Sequence, residues 1–121
     1  MERNKIETMK KLLFVMLASG LMLASCNKED ENAVPTCVQD RLAIFEADEA
    51  CGAGASVKRY TFQGNDVYAY DPGSCGADMT TAVLDAECNN LGYLGGISGN
   101  DTISGVPFSS NALLVSTIWQ N

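Results

Sequence analysis

The chain has 121 residues, of which 46% are hydrophobic, and its 15 acidic side chains outnumber the 8 basic ones, giving a net charge of −7. This length corresponds to one domain, and the composition is typical of a folded protein. The acidic balance argues against nucleic-acid binding, because few basic groups are available to neutralise phosphates. The chain has no histidine, so the commonest metal ligand and the usual general base are both missing.

Residues 1–25 have the features of a secretory signal peptide. Two lysines precede an apolar run from Leu12 to Leu23, which at about 1.5 Å per residue is too short to cross a bilayer as a helix. The run ends in Leu23-Ala24-Ser25-Cys26, which resembles the lipobox of bacterial lipoproteins. The resemblance implies cleavage before Cys26 and acylation of that cysteine, with palmitate among the expected chains; two or more chains would anchor the protein durably.

Residues 26–35 form a polar, acidic segment that is expected to be a flexible tether between the lipid anchor and the domain. Asn27 stands where an inner-membrane retention signal would have Asp, which favours the outer membrane. Lys28-Glu29-Asp30 resembles an acidic signal that carries some lipoproteins to the cell exterior. Surface display is therefore favoured over a periplasmic orientation, although the sequence leaves both open. The sequence also leaves open whether translation starts at Met1 or Met9.

Residues 36–121 are predicted to form one small α+β domain that begins with a helix. Thr36 and Gln39 have the spacing of a capping box. Val38, Leu42 and Phe45 follow at helical spacing. We therefore expect one N-terminal helix from residue 38 to about residue 49.

Two apolar segments after this helix are predicted to pair as a β-hairpin. Strands are expected at Val57–Phe62 and Asp66–Tyr70, with Gly64 and Asn65 as the two-residue turn. Because side chains alternate along a strand, each strand presents two faces. One face is predicted to carry Tyr60, Phe62, Val67 and Ala69, and the other Arg59, Thr61, Tyr68 and Tyr70.

Four cysteines remain after Cys26, and an even number in an exported domain predicts two disulfides. A zinc site is disfavoured, because the chain has no C-x-x-C pair and no histidine. The predicted helix would hold Cys37 and Cys51 roughly 18 Å apart, too far for a disulfide. Since Cys51 and Cys75 flank the open end of the hairpin, we favour Cys51–Cys75 together with Cys37–Cys88.

Two further segments are predicted to be strands. Met79–Leu84 is the weaker one, and Ala112–Trp119 is the clearest strand of the chain. Alternation leaves apolar residues on both faces of Ala112–Trp119, which predicts a central position in the sheet. The expected fold is one N-terminal helix packed on a twisted antiparallel sheet of four to five short strands, stapled by two disulfides.

Several short segments are similar to a family of small bacterial lipoproteins classed as a domain of unknown function. They are Gly54-Ala55-Ser56-Val57, Tyr60-Thr61-Phe62-Gln63-Gly64, Val67-Tyr68, Asp71 to Met79, Asp85 to Asn89, Gly95 to Gly99 and Ile118-Trp119. The resemblance covers residues 37–119 and implies no activity, substrate or catalytic residue. Some members carry two further cysteines, near Leu91 and beyond Gly99, that this chain lacks.

Two surface features are candidate sites. Arg59, Tyr68 and Tyr70 share one face of the hairpin and have the composition of a protein-binding hot spot; the alternative is that another element covers the rings. Asp101-Thr102-Ile103 resembles the site of a bacterial O-glycosylation system, which makes Thr102 a candidate for modification.

Other polar clusters are interpreted as turns. The acidic residues around two of the cysteines do not have the spacing of a calcium-binding loop. Gly95–Gly99 lacks the lysine of a phosphate-binding loop. A catalytic thiol is disfavoured, because the chain has no histidine to activate it. We therefore predict that the protein has no catalytic residue, no metal, no cofactor and no enzymatic activity.

The sequence therefore predicts a non-enzymatic, lipid-anchored binding or structural module on the bacterial outer membrane. The expected partners are the membrane, through the anchor, and an envelope or extracellular protein, and not nucleic acid. The alternative is a surface-exposed inhibitor of a hydrolase such as a protease, because a disulfide-stapled loop is ordered before it binds. The candidate inhibitory loops are Asp71–Asp78 and Gly95–Asp101.

Overall fold

A computed structural model describes residues 33–121 of the chain, in which Val34–Asn121 form one compact unit. The predicted signal peptide, Cys26 and most of the tether lie outside the described residues. The helical elements are α1 (Thr36–Ile44), a π-helical turn (Phe45–Glu49) and the short α2 (Phe108–Asn111). The strands are β1 (Ser56–Phe62), β2 (Asn65–Asp71), β3 (Thr80–Asp85), β4 (Asn90–Gly95), β5 (Thr102–Ile103), β6 (Val106–Pro107) and β7 (Leu113–Gln120).

Five of the strands form one antiparallel sheet in the order β4-β3-β2-β1-β7, and β5 and β6 form a separate two-stranded ribbon. One N-terminal helical segment packs on this sheet, so the predicted α+β fold is confirmed. Within residues 33–121, every helix is too short or too polar to span a bilayer.

Helix α1 begins differently from the prediction. Its first residue is Thr36, and Pro35 occupies the N-cap position without a side-chain cap. Gln39 instead donates from Nε2 to the carbonyl of Val34, at 2.8 Å, so the predicted capping box is not formed. Proline suits a helix start, because it has no N–H that would be left unpaired there.

The β1–β2 hairpin turns one residue earlier than predicted. Phe62 pairs with Asn65, which makes Gln63 and Gly64 the turn, with φ of 52° and 76°. Positive φ at both central residues matches a type I′ turn, in which glycine is favoured at the second position. The register therefore shifts by two residues, and an even shift leaves every side chain on its predicted face.

The predicted disulfide pairing is confirmed. Cys37 is bonded to Cys88, with 6.1 Å between their Cα atoms, and Cys51 is bonded to Cys75, with 5.8 Å. The first bond ties the start of α1 to the turn between β3 and β4. The second ties the segment before β1 to the loop after β2. Bonds that close 51 and 24 residues are each expected to stabilise the fold by about 3–4 kcal/mol.

Each face of the sheet carries a core that a different element covers. The helical segment covers one face, which we call the helix face; its core comprises Val38, Phe45, Val57, Tyr68, Tyr70 and Leu84. The β5–β6 ribbon and α2 cover part of the other, which we call the ribbon face; its core comprises Phe62, Val67, Ala69, Val83, Ile103 and Phe108.

Strand β7 is present as predicted, but its predicted central position is wrong. It pairs with β1 alone and forms one edge of the sheet. The pairing is interrupted between Val57 and Lys58 and again between Arg59 and Tyr60, and each bulge adds one residue to β7. These bulges break the alternation on which the prediction rested. Ile118 and Trp119 therefore both pack toward the helix face.

Candidate functional site

The predicted tyrosine patch is not a surface. Tyr68 and Tyr70 are each only 1% exposed, because the helical segment lies over them. The Tyr70 hydroxyl donates to the carbonyl of Val38, and its ring meets the edge of Phe45 at 5.5 Å. Burial raises the pKa of Tyr70 to about 12 and also raises that of Tyr68. The prediction of an exposed binding face at these rings is therefore wrong, and the alternative of a covering element is correct.

Arg59, the third member of the predicted patch, lies opposite Tyr68 in the hairpin. Its guanidinium is within 2.6 Å of the Asp66 carboxylate, and its side chain is only 12% exposed. The hydrogen bond to Asp66 raises the pKa of Arg59. This pair links β1 to β2 across the hairpin, so Arg59 serves the fold rather than a free surface.

A groove of about 420 Å³ lies beside the π-helical turn, between it and β3 and β4. Arg41 forms an ion pair with Glu49 at 2.7 Å and lies over the Tyr70 ring at 5.4 Å. The hydrogen bond to Glu49 raises the pKa of Arg41. Its Nη1 atom is buried without a hydrogen-bond partner among residues 33–121. Tyr93, on the far wall, is 54% exposed.

The Arg41 ion pair was not predicted from the sequence. The two partners are eight residues apart, and neither belongs to a motif. The only feature of the sequence that indicates this ion pair is the presence of an arginine and a glutamate on one helical segment. Because the carboxylate already neutralises the guanidinium, the groove offers a ligand one half-exposed aromatic ring and little free charge.

A second cavity, of about 480 Å³, lies between the hairpin turn and the β5–β6 ribbon. Its floor is apolar, and Asp66, Asp85 and Glu87 line its wall. Asp66 is paired with Arg59. Asp85 accepts hydrogen bonds from the backbone N–H groups of Glu87 and Asn89. Asp66 therefore links β1 to β2, and Asp85 holds the turn between β3 and β4. Residues 33–121 contain no group of three or more acidic, cysteine or histidine side chains that could hold a metal ion.

The candidate modification site lies on the β5–β6 ribbon. Thr102 is exposed in β5, and its hydroxyl donates to Oδ1 of Asn100 at 3.1 Å. Glycosylation of Thr102 stays a prediction.

Among residues 33–121, the outer edge of β7 pairs with no other strand, and we call it the β7 edge. Leu113, Leu114 and Val115 are 72%, 57% and 47% exposed. The strand is eight residues long and carries no charged side chain. The sequence analysis missed this surface, because strand order is set by long-range pairing. The polar pair Ser116-Thr117 inside an apolar run points to both faces of the strand, and it is the signal that both faces meet water here.

No curated protein and no solved structure matches the chain. The family model described as "Domain of unknown function (DUF6970)" matches residues 44–121. The match runs from the last residue of α1 through β7, so it includes every strand of the sheet and three of the four paired cysteines. This chain belongs to the DUF6970 family, a domain of unknown function.

Proposed function

We propose that this chain is a lipid-anchored, non-enzymatic binding module of the bacterial outer membrane, and that it holds a protein partner at the β7 edge. The observation that carries the proposal is the exposure of Leu113, Leu114 and Val115 on an uncharged edge strand. An edge strand presents a row of unpaired N–H and C=O groups, which can accept an extended segment from another chain.

The inner side of β7 supports this role, because it is held in place before any partner arrives. β1 pairs with β7 from Ser56 to Thr61. At the far end of β7, Asn121 donates from its backbone N–H to Ala55 and from Nδ2 to Gly52, at 3.2 and 2.8 Å. An incoming strand therefore meets an ordered template, which lowers the entropy lost on binding.

Crosslinking in cells tests the β7 edge. A photo-reactive side chain is placed at Leu114 and, as a matched control, at Ile97, which is 86% exposed in the loop after β4. We expect protein adducts from position 114 and few or none from position 97. No adduct from position 114, or equal adducts from both positions, would contradict the proposal.

The proposed lipid anchor rests on Leu23-Ala24-Ser25-Cys26 and is supported by the two disulfides, which are typical of exported proteins. Labelling cells with a palmitate analogue tests it. We expect Cys26→Ala to abolish labelling and release the protein from the membrane fraction. Ser25→Ala is the control, because alanine is also permitted at that position of the lipobox. Label retained in Cys26→Ala would exclude lipidation at this cysteine.

A protease inhibitor is the second candidate, and one loop supports it. Ser74 to Asp78 are exposed, and the Cys51–Cys75 bond ties the middle of this loop to the segment before β1. The N–H of Cys51 donates to Pro72, and the Ser74 hydroxyl donates to Ala53 at 3.1 Å. A loop ordered in this way resembles those of tight protease inhibitors in being fixed before binding.

An inhibition assay distinguishes a protease inhibitor from a module that only binds a partner at the β7 edge. If the loop inhibits a protease, the wild-type chain blocks at least one member of a protease panel at nanomolar concentration. The double variant Cys51→Ser with Cys75→Ser is expected to lose that inhibition, while the crosslinks from position 114 persist. A panel without any inhibited member removes this candidate and leaves the β7 proposal in place.

A further inference from the structure

The groove beside the π-helical turn has polar side chains of opposite charge on one wall and an exposed aromatic ring on the other. We propose that this groove binds a neutral saccharide. Its volume of about 420 Å³ lies within the range of about 300–1,000 Å³ that is usual for small-molecule sites. The groove is separate from the β7 edge, because β4 and β7 are the opposite edge strands of the sheet. The saccharide site is therefore a second binding function, independent of the protein partner proposed above.

On the helical wall, the π-helical turn brings Glu49 back over Arg41. Residues eight apart in a regular α-helix point about 80° away from each other around the axis. A π-helical turn advances less around the axis with each residue, and the one from Phe45 to Glu49 brings the two side chains within 2.7 Å. Such turns are rare and are frequent at functional sites. This one places a hydrogen-bond donor and an acceptor side by side in the groove.

On the opposite wall, a bulge in β4 has the same effect. Asn90 and Tyr93 are three residues apart, so in a regular strand they would point to opposite faces. The pairing with β3 shifts between Val83 and Leu84, and Leu84 lies opposite Asn90 while Ala82 lies opposite Tyr93. Both side chains therefore point to the helix face and line the groove. Bulges commonly redirect side chains next to functional sites.

The charges in the groove restrict the class of ligand. A cation would meet the guanidinium of Arg41, and an anion would meet the carboxylate of Glu49, so each would be repelled by a like charge. An apolar ligand would cover both charged groups without replacing the hydrogen bonds that they make with water. A neutral ligand rich in hydroxyl groups avoids both costs, because each hydroxyl donates and accepts hydrogen bonds.

The ring of Tyr93 favours a saccharide among such ligands. The residue is 54% exposed, and no other aromatic ring among residues 33–121 stacks on it. A sugar ring carries C–H groups on one face and hydroxyl groups at its rim. The C–H face can pack against the electron-rich face of an aromatic ring, while the rim reaches the Arg41–Glu49 pair and the amide of Asn90.

The two walls are held in place without a ligand. The Cys37–Cys88 bond joins the start of α1 to the turn that leads into β4. The guanidinium of Arg41 lies over the Tyr70 ring at 5.4 Å, and the carbonyl of Tyr93 accepts a hydrogen bond from the side chain of Asn100. A groove that is ordered in advance lowers the entropy lost on binding.

Binding of the full-length chain to immobilised saccharides tests the site, in a detergent that has no sugar head group. We expect retention on neutral saccharides and release by the same saccharide in solution. Tyr93→Ala is expected to weaken binding by at least about tenfold, because it removes the stacking ring, whereas Tyr93→Phe keeps the ring and restores binding. The matched control is Ile44→Ala, since Ile44 is 53% exposed on the helical segment and does not line the groove. This control is expected to bind as wild type does.

Glu49→Gln tests the charge argument with a gain of binding, which an unfolded variant could not produce. It removes the carboxylate that neutralises Arg41, so the groove becomes positively charged. We expect acidic saccharides, which wild type binds weakly, to bind this variant at least about tenfold more tightly. The gain should shrink at high salt, because salt screens the attraction.

The outcomes separate the saccharide site from the β7 edge. Wild type that binds no neutral saccharide, or equal losses in Tyr93→Ala and Ile44→Ala, would overturn the proposal. A wild-type preference for acidic or amino saccharides over neutral ones would also overturn it. Photo-crosslinks from position 114 are expected to be unchanged in Tyr93→Ala, so the failure of either function is visible apart from the other.

Discussion

The two edge strands of the sheet, β4 and β7, differ in how far other residues cover them. At β4, Asn100 donates from its side chain to the carbonyls of Tyr93 and Thr102, and Ile103 is 1% exposed. At β7, Leu113 is 72% exposed, and no strand among residues 33–121 pairs with the outer side. Proteins commonly cover or charge an edge strand, because a bare one pairs with other chains. The comparison indicates that the ribbon closes the β4 edge, whereas the β7 edge, apart from its two bulges, is left open.

Glycine makes the cover at β4 possible. A Cβ atom at Gly92 would lie 3.1 Å from Cδ1 of Ile103, and Gly92 has φ of 151°. Only a residue without a side chain allows the ribbon to approach β4 this closely without strain. The side chain of Ile103 then fills the space between the ribbon and the ribbon-face core.

The largest contrast between the edges is expected from truncating one side chain at each. Ile103→Ala removes a buried side chain and leaves a cavity, so it is expected to lower the free energy of unfolding by about 2–5 kcal/mol. Leu113→Ala shortens an exposed side chain and is expected to change it by less than about 0.5 kcal/mol. Urea unfolding of both variants, with the disulfides intact, measures the two effects. Similar losses at both positions would refute the difference between the edges.

The features of the fold that depend on neighbouring residues, such as strand faces and the hairpin, could be predicted from the sequence. Alternation placed Tyr68 and Tyr70 on the face opposite Phe62 and Val67, because that pattern depends only on neighbouring residues. The hairpin also brought Cys51 and Cys75 together, which made their pairing predictable. The turn position was missed by one residue, because Gly64 suits either place in a two-residue turn and only the observed φ values decide between them.

The long-range part could not be read from the sequence. Which side of the hairpin the helix covers decides whether Tyr68 and Tyr70 form a surface or a core, and alternation does not contain that information. The edge position of β7 depends on its pairing with β1, more than fifty residues away in the chain. Its two bulges follow from that pairing and are not marked by a glycine in β7.

A smaller effect is expected at the side chain that ties the ribbon to the β4 edge. Asn100→Ala removes the two hydrogen bonds donated by Nδ2 and those that Oδ1 accepts from Thr102. We expect a loss of about 1–2 kcal/mol in the free energy of unfolding, because the groups are exposed and water partly replaces the bonds. Asn65→Ala is the control, since this exposed residue donates one hydrogen bond, to Gln63, and is expected to lose less. Hydrogen exchange should locate the change at β4 and β5; loss of protection at β7 instead would contradict the assignment.

The smallest effect is expected at the turn that leads into β4, and it depends on pH. Three hydrogen bonds hold the Asp85 carboxylate, and the largest contribution, from the Asn89 side chain, lowers its pKa below the ordinary value of 3.8. Because the folded pKa lies below the unfolded one, this stabilisation is present above about pH 4 and is lost as the pH falls through the folded pKa. The stability advantage of wild type over Asp85→Asn should therefore shrink on acidification. Asn89→Ala, which removes only the side-chain donor, should give an intermediate dependence. Parallel pH profiles for wild type and Asp85→Asn would show that this carboxylate does not stabilise the approach to the covered edge.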